Sequence, residues 1–163
     1  MTDFIEFAGE KYLAFQAEGN ASQFSIPFAK KLCKGVGVDI GFGKESWKYP
    51  GAIGADLLDT SNDYHAANLP DELDYVYSSH CLEHLPDWVG SLEYWLSCLK
   101  TGGSLFLYLP HRSQKYWRPW NNRKHLHVLD PEIVSDCLLS FGVSHVQYTG
   151  VDLNNSFIVY AIK

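Results

Sequence analysis

The stretch Val36-Gly37-Val38-Asp39-Ile40-Gly41-Phe42-Gly43 decides the fold. Residues 36–40 form a short β-branched apolar run, the pattern of a buried strand, and the run ends in a glycine turn. Glycine at Gly41 and Gly43 lets φ become positive and lets a ligand lie against bare backbone. A plain strand-to-helix turn has the same look, so the reading depends on the residues around it.

Downstream, residues 52–56 read as a second buried strand, again ending in an acid. Asp56 lies 17 residues after Asp39, where a carboxylate can accept both hydrogen bonds of a ribose diol; Asp59 competes for that role. Residues 73–78 and 104–109 read as further strands. Between them a helix begins near Asp87 with Val89, Leu92, Leu96 and Leu99 on one face, and Gly102-Gly103 is expected to end it. Pro131 opens a helix to about residue 140. Strands at 144–149 and 156–162 close the chain, with Asn154-Asn155 as a hairpin turn. Upstream, residues 10–18 and 24–34 read as helices. The second has Phe24, Phe28 and Leu32 at helical spacing, a cap at Ser22 or Ser25, and Gly35 as its stop. Strands alternating with helices imply an α/β fold: a Rossmann-like, doubly wound, mostly parallel sheet with helices on both faces and a C-terminal antiparallel hairpin. Ligands in such sheets sit at the carboxyl ends of the strands.

The 163 residues fit one domain, 1–163, with N-terminal helices over 1–34 and a loop over 110–128. At 46% hydrophobic and 20% charged the chain is globular in composition. A net charge of -6 argues against nucleic-acid and membrane-surface partners. Cys33, Cys81, Cys98 and Cys137 form no C-x-x-C pair, and no apolar stretch approaches the ~18 residues of a membrane span. With no basic start leading into an apolar run, a cytoplasmic protein with reduced cysteines is expected.

Taken in order, these motifs resemble those of the class I S-adenosylmethionine-dependent methyltransferases. The family pattern D/E-x-G-x-G-x-G is met by Asp39, Gly41 and Gly43, with Glu45 in place of the last glycine, and the acid closing the second strand by Asp56. The stretch D-A-x-x-L-P aligns with His65-Ala66-Ala67-Asn68-Leu69-Pro70, a histidine replacing the acid. F-D-x-V-x-S-x-x-x-L-E-H aligns with residues 73–84, and L-K-P-G-G with Leu99-Lys100-Thr101-Gly102-Gly103. The resemblance implies a seven-stranded sheet and S-adenosylmethionine as cofactor. It implies cofactor contacts from Asp39, Gly41, Phe42, Gly43, Asp56, Leu57, His65, Ala66, Ser79 and His80. Residues 44–50 leave room for only a turn or two of helix, as in the compact branch of the family found among sugar- and cell-surface-biosynthesis enzymes.

Methyl transfer demands positioning and exclusion of water, and a base only where the acceptor must lose a proton. The segment 110–127 carries five Lys or Arg, three His and three large aromatics with no acid, against the charge of the whole chain. It is expected to cover a small-molecule acceptor of anionic or sugar-like character, with His111, His80, His125 or His127 as candidate base. His80-Cys81-Leu82-Glu83-His84 matches the zinc spacing H-x-x-E-H, but it follows a strand directly and Pro86 interrupts it, so no metal is expected there. His125-x-His127 reads as a chance pair. The leading reading is a methyltransferase for a small or saccharide-like acceptor. The first rival, favoured by Glu45 and His65, is a nucleotide-binding module without catalysis. A nucleic-acid methyltransferase draws support only from the basic loop, and a zinc hydrolase only from H-x-x-E-H.

Overall fold

The computed structural model describes residues 3–56, 68–117 and 124–163. The chain opens with an antiparallel hairpin, β1 (Phe4–Phe7) and β2 (Glu10–Leu13), followed by a 3-10 turn at Ala14–Glu18 and helix α1 (Ser22–Leu32). Then come β3 (Gly37–Ile40), β4 (Ile53–Ala55), β5 (Leu73–Ser79), α2 (Trp88–Cys98), β6 (Leu99–Pro110), α3 (Pro131–Ser140), β7 (His145–Tyr148) and β8 (Ser156–Ile162). The main sheet has the order β4-β3-β5-β6-β8-β7. β4, β3, β5 and β6 run parallel; β8 pairs antiparallel with both β6 and β7.

Alternation along the central strands gives the sheet two unlike faces. Val76 of β5 and Leu105, Leu107 and Leu109 of β6 join Leu92 and Leu96 of α2 and Val134 and Leu138 of α3 in an aliphatic core. Tyr75, Tyr77, Phe106 and Tyr108 point the other way and meet α1 in an aromatic core. Each of these side chains leaves water almost completely, a gain of roughly 1.5–3 kcal/mol apiece. The helices therefore cover both faces.

Several elements depart from expectation. Among the described residues the main sheet has six strands rather than seven, ending at β4. Of residues 10–18, expected as a helix, only Ala14–Glu18 are helical, as a 3-10 turn. Glu10–Leu13 pairs with Phe4–Phe7, and Tyr116 packs on Phe7 and Tyr12 across this hairpin. α1 buries Ser25 and Ala29 and leaves Phe28 and Leu32 exposed; the sheet's own tyrosines fill that space, so only small residues can approach. Ser25 Oγ lies 2.7 Å from the Tyr77 hydroxyl across this contact. α2 ends at Cys98, and Gly102-Gly103 sits within β6 where the register against β5 shifts. The β7–β8 connection spans 149–155 rather than a two-residue turn. The Asp152 carboxylate holds it by accepting from the Asn154 and Ser156 N–H groups and from the Tyr108 hydroxyl.

Candidate functional site

β3 delivers the glycine turn to the carboxyl edge of the sheet. Gly41 and Gly43 both have positive φ, +76° and +70°, and a Cβ on Gly41 would run into the Cys81 sulfur. The Gly41 N–H donates to the Ala55 carbonyl at 2.8 Å, and the Gly43 N–H to Asp56 Oδ2 at 2.9 Å. Asp56, closing β4, is thus pinned beside the turn. Only a three-residue 3-10 turn, Glu45–Trp47, follows the glycines. A dinucleotide fold uses a full helix N-terminus there for its pyrophosphate; this turn suits a nucleoside without phosphates.

Asp39 is buried under the turn. Its Oδ2 accepts the Tyr49 N–H at 2.6 Å, while Oδ1 has no hydrogen-bond partner. Burial pushes its carboxyl up to about 7, against the lowering effect of the Tyr49 N–H and the Lys48 charge.

A cavity of about 1020 Å³ opens above these residues. Of the residues expected at the cofactor, Asp39, Gly41, Phe42, Gly43, Asp56, Ser79 and His80 line it; Leu57, His65 and Ala66 lie outside the described residues. Of the candidate bases, His80 and His125 line it and His111 and His127 do not. His111 Nδ1 lies 2.9 Å from Ser113 Oγ and its ring faces Asp130, with burial holding its pKa below the usual imidazole value. His127 Nε2 donates to the Leu85 carbonyl at 2.9 Å.

The walls include residues that sequence reasoning missed. Phe15 and Gln16 come from the turn after β2, Trp47 from the glycine loop, Tyr94 and Trp95 from α2, and Gln114 and Trp117 from the segment after β6. Gln16 is buried with neither amide atom hydrogen-bonded. The hairpin and the segment after β6 clasp one another: Tyr116 packs on Phe7 and Tyr12, Trp117 Nε1 donates to the Gln16 carbonyl at 2.9 Å, and Lys115 pairs with Glu10. No local sequence signal marks Gln16, because its burial depends on a segment some hundred residues away.

One wall holds a buried acid ringed by imidazoles. Glu83 is fully buried in the 3-10 turn Leu82–His84, and neither carboxylate oxygen has a hydrogen-bond partner. Its Oε1 lies 3.8 Å from His80 Nδ1, 3.7 Å from His84 Nε2 and 3.9 Å from His125 Nε2. The N–H groups of Leu126 and His127 both donate to the Glu83 carbonyl, which docks this segment on the turn. Burial pushes the Glu83 carboxyl up to about 8 and holds His80 down to about 3 and His125 to about 4, so both imidazoles are neutral near neutrality.

A family model for a methyltransferase domain matches residues 18–154. Sequence comparison with curated proteins finds no match. Among solved structures, the fold is similar to an S-adenosylmethionine-dependent methyltransferase of Thermotoga maritima, with TM-score 0.73 and 17% identity over 91% of this chain and 92% of that one. It is also similar to the 1,6-didemethyltoxoflavin N1-methyltransferase of Burkholderia thailandensis with bound S-adenosylhomocysteine (TM-score 0.65, 13% identity, 92% and 84% covered). A third is the magnesium protoporphyrin IX methyltransferase of Synechocystis with bound S-adenosylmethionine (TM-score 0.59, 16% identity, 95% and 86% covered).

Proposed function

The chain belongs to the methyltransferase-domain family, its cofactor is S-adenosylmethionine, and we propose that it methylates a small, sugar-like or anionic acceptor held in the same cavity. The observation that carries this reading is the cavity itself. At about 1020 Å³ it stands at the upper end of the about 300–1,000 Å³ of ligand pockets, and it joins the glycine turn to an aromatic and histidine-lined half.

The residues present fit the cofactor. Gly41 and Gly43 leave backbone open for its ribose, and Asp56 at the end of β4 has the place of a diol acceptor. Asp39, beneath the glycine turn, lines the same cavity and has one carboxyl oxygen without a hydrogen-bond partner. When bound, the cofactor supplies an electrophilic methyl group on a sulfonium sulfur. Phe15, Trp47, Tyr94 and Trp117 offer flat apolar faces to the acceptor, and the Gln16 amide offers an unmatched donor and acceptor. His80 and His125 face the same space. With pKa values near 3 and 4 they make weak bases at neutral pH, so the chain's contribution is positioning and exclusion of water. A cytoplasmic location is part of the proposal, on the four unpaired cysteines.

Calorimetric titration with S-adenosylhomocysteine tests the reading. Wild type should bind, and Asp56→Ala should bind about 10–100-fold more weakly, the effect of losing a charge-assisted hydrogen bond. Absence of wild-type binding at millimolar ligand would overturn the cofactor assignment.

A further inference from the structure

Glu83 poses a problem that the methyltransferase reading does not solve. A fully buried carboxylate with no hydrogen bond to either oxygen is costly, and buried acids are ordinarily paired or bound to a metal. Its neighbours are three imidazole nitrogens at 3.7–3.9 Å. A shared proton would draw such pairs to about 2.7–3.2 Å. The observed gaps are too long for hydrogen bonds and close to the roughly 3–3.5 Å that separates two donors bound at about 2.0–2.2 Å to one cation. The ligand atoms of Glu83, His84 and His125 all lie within 4.8 Å of one another.

The orientation of the rings agrees. His84 Nδ1 lies 2.6 Å from the Lys124 carbonyl, which can only accept, so Nδ1 carries the proton and Nε2 turns a lone pair toward Glu83. Ser156 Oγ donates to the Asn154 carbonyl and receives the Asn154 amide, which makes His80 Nε2 its second donor at 3.0 Å and leaves a lone pair on His80 Nδ1, facing Glu83. Two lone pairs aimed at a carboxyl oxygen repel unless a proton or a cation lies between them, and gaps of 3.7–3.9 Å are too long for a shared proton. A backbone carbonyl or hydroxyl behind the far ring nitrogen is also how proteins orient histidine ligands. Trp117 stacks on the His125 ring and fixes it, and His80 is held with φ at +49°, rare for a residue other than glycine.

We infer that Glu83, His84 and His125 hold one divalent first-row transition-metal ion at the wall of the cavity, with His80 at its edge. Two or three imidazoles with one carboxylate suit zinc, iron, cobalt or nickel better than magnesium or calcium, which prefer all-oxygen sets. The H-x-x-E-H spacing supplies His80, Glu83 and His84 from a strand end and a 3-10 turn rather than from a helix, and His125 completes the set from a distant segment. His84 and His125 line the cavity, so the ion gives it a Lewis-acidic point for an oxygen or nitrogen donor of the acceptor. That last role rests on the methyltransferase reading; the metal site does not.

The protein is stripped with a chelator and titrated with cobalt(II), following visible ligand-field absorption and bound metal by elemental analysis. Saturable uptake of one ion per chain is expected, displaced by zinc. Glu83→Gln and His125→Asn should weaken it more than about 100-fold, since altering even the groups behind ligands costs about 10–100-fold. His145→Asn, an exposed position on β7, should leave it unchanged. Far-ultraviolet dichroism confirms folding, and His84→Asn, the least buried of the three, serves if Glu83→Gln unfolds. No saturable uptake at millimolar cobalt, or uptake untouched by the ligand variants, overturns the proposal. Titration of the same samples with S-adenosylhomocysteine separates the two readings: cofactor binding without metal sinks only the metal site, and metal without cofactor sinks only the cofactor and acceptor reading.

Discussion

Asp39 keeps an ionisable group where an amide would serve the fold better. Its Oδ2 needs only an acceptor for the Tyr49 N–H, and its Oδ1 is buried without a partner. Burial raises its pKa from 3.8 to about 7, so between those values the folded chain holds a proton that the unfolded chain has released. Stability from this group is full below about pH 4 and is lost as pH rises through about 7, a total on the order of 2–4 kcal/mol. Asp39→Asn keeps the Tyr49 bond and removes the titration. Thermal melts should show the variant more stable than wild type above neutral pH, by about 2 kcal/mol, and no more stable in acid. The rise in the Glu83 pKa adds the same slope to both proteins and cancels in the difference. Parallel pH profiles for the two would disprove the account. A carboxylate that costs stability at the wall of the cavity supports the proposed cofactor contact at Asp39.

The hairpin β1–β2, whose following turn lines the cavity, and the segment after β6 depend on each other. A two-stranded hairpin is marginal alone; here Tyr116 supplies ring contacts to Phe7 at 5.5 Å and Tyr12 at 5.9 Å. At roughly 0.5–1.5 kcal/mol for each aromatic pair, Tyr116→Ala should speed amide exchange across residues 5–12 by about 10–100-fold. β5 and β6 should stay protected. Unchanged exchange in the hairpin would show that Tyr116 does not hold it. This dependence also explains what could be read in advance. Residues 37–40, 73–79 and 156–162 are apolar runs covered on both faces, so their own composition betrays them as strands. The hairpin's short run mixes apolar and charged residues, and the partner that packs on it lies a hundred positions away. α1 misleads for a related reason: Phe28 and Leu32 repeat at helical spacing, yet the tyrosines of β5 and β6 decide which face is buried. That Asp39, Gly41, Gly43 and Asp56 lie together was legible because two adjacent strands, β3 and β4, and the turn after β3 place them. The H-x-x-E-H spacing was visible too, but His125 reaches Glu83 only through the docking of residues 124–127.

At the scale of the molecule, the two cores share their strands. Tyr75 and Tyr77 feed the aromatic layer while Val76 between them feeds the aliphatic one, and Phe106 and Leu105 divide in the same way in β6. Neither layer can melt and leave the other a sheet face to pack against, so the chain should unfold in one transition. The cavity draws its walls from both sides of this arrangement: β3 and its turn, α2, the turn after β2 and the segment after β6. A ligand that binds only the folded form, present at about 100 times its Kd, adds about 2.7 kcal/mol to stability. For a domain of this length that corresponds to a rise in Tm of roughly 5–10 °C. Calorimetric scans with and without S-adenosylhomocysteine should therefore show a single peak that moves as a whole. A melt that splits, with only one component shifted by ligand, would mean that the hairpin or one helix layer unfolds apart from the sheet. The coupling of cavity to core argued from the shared strands would then be wrong.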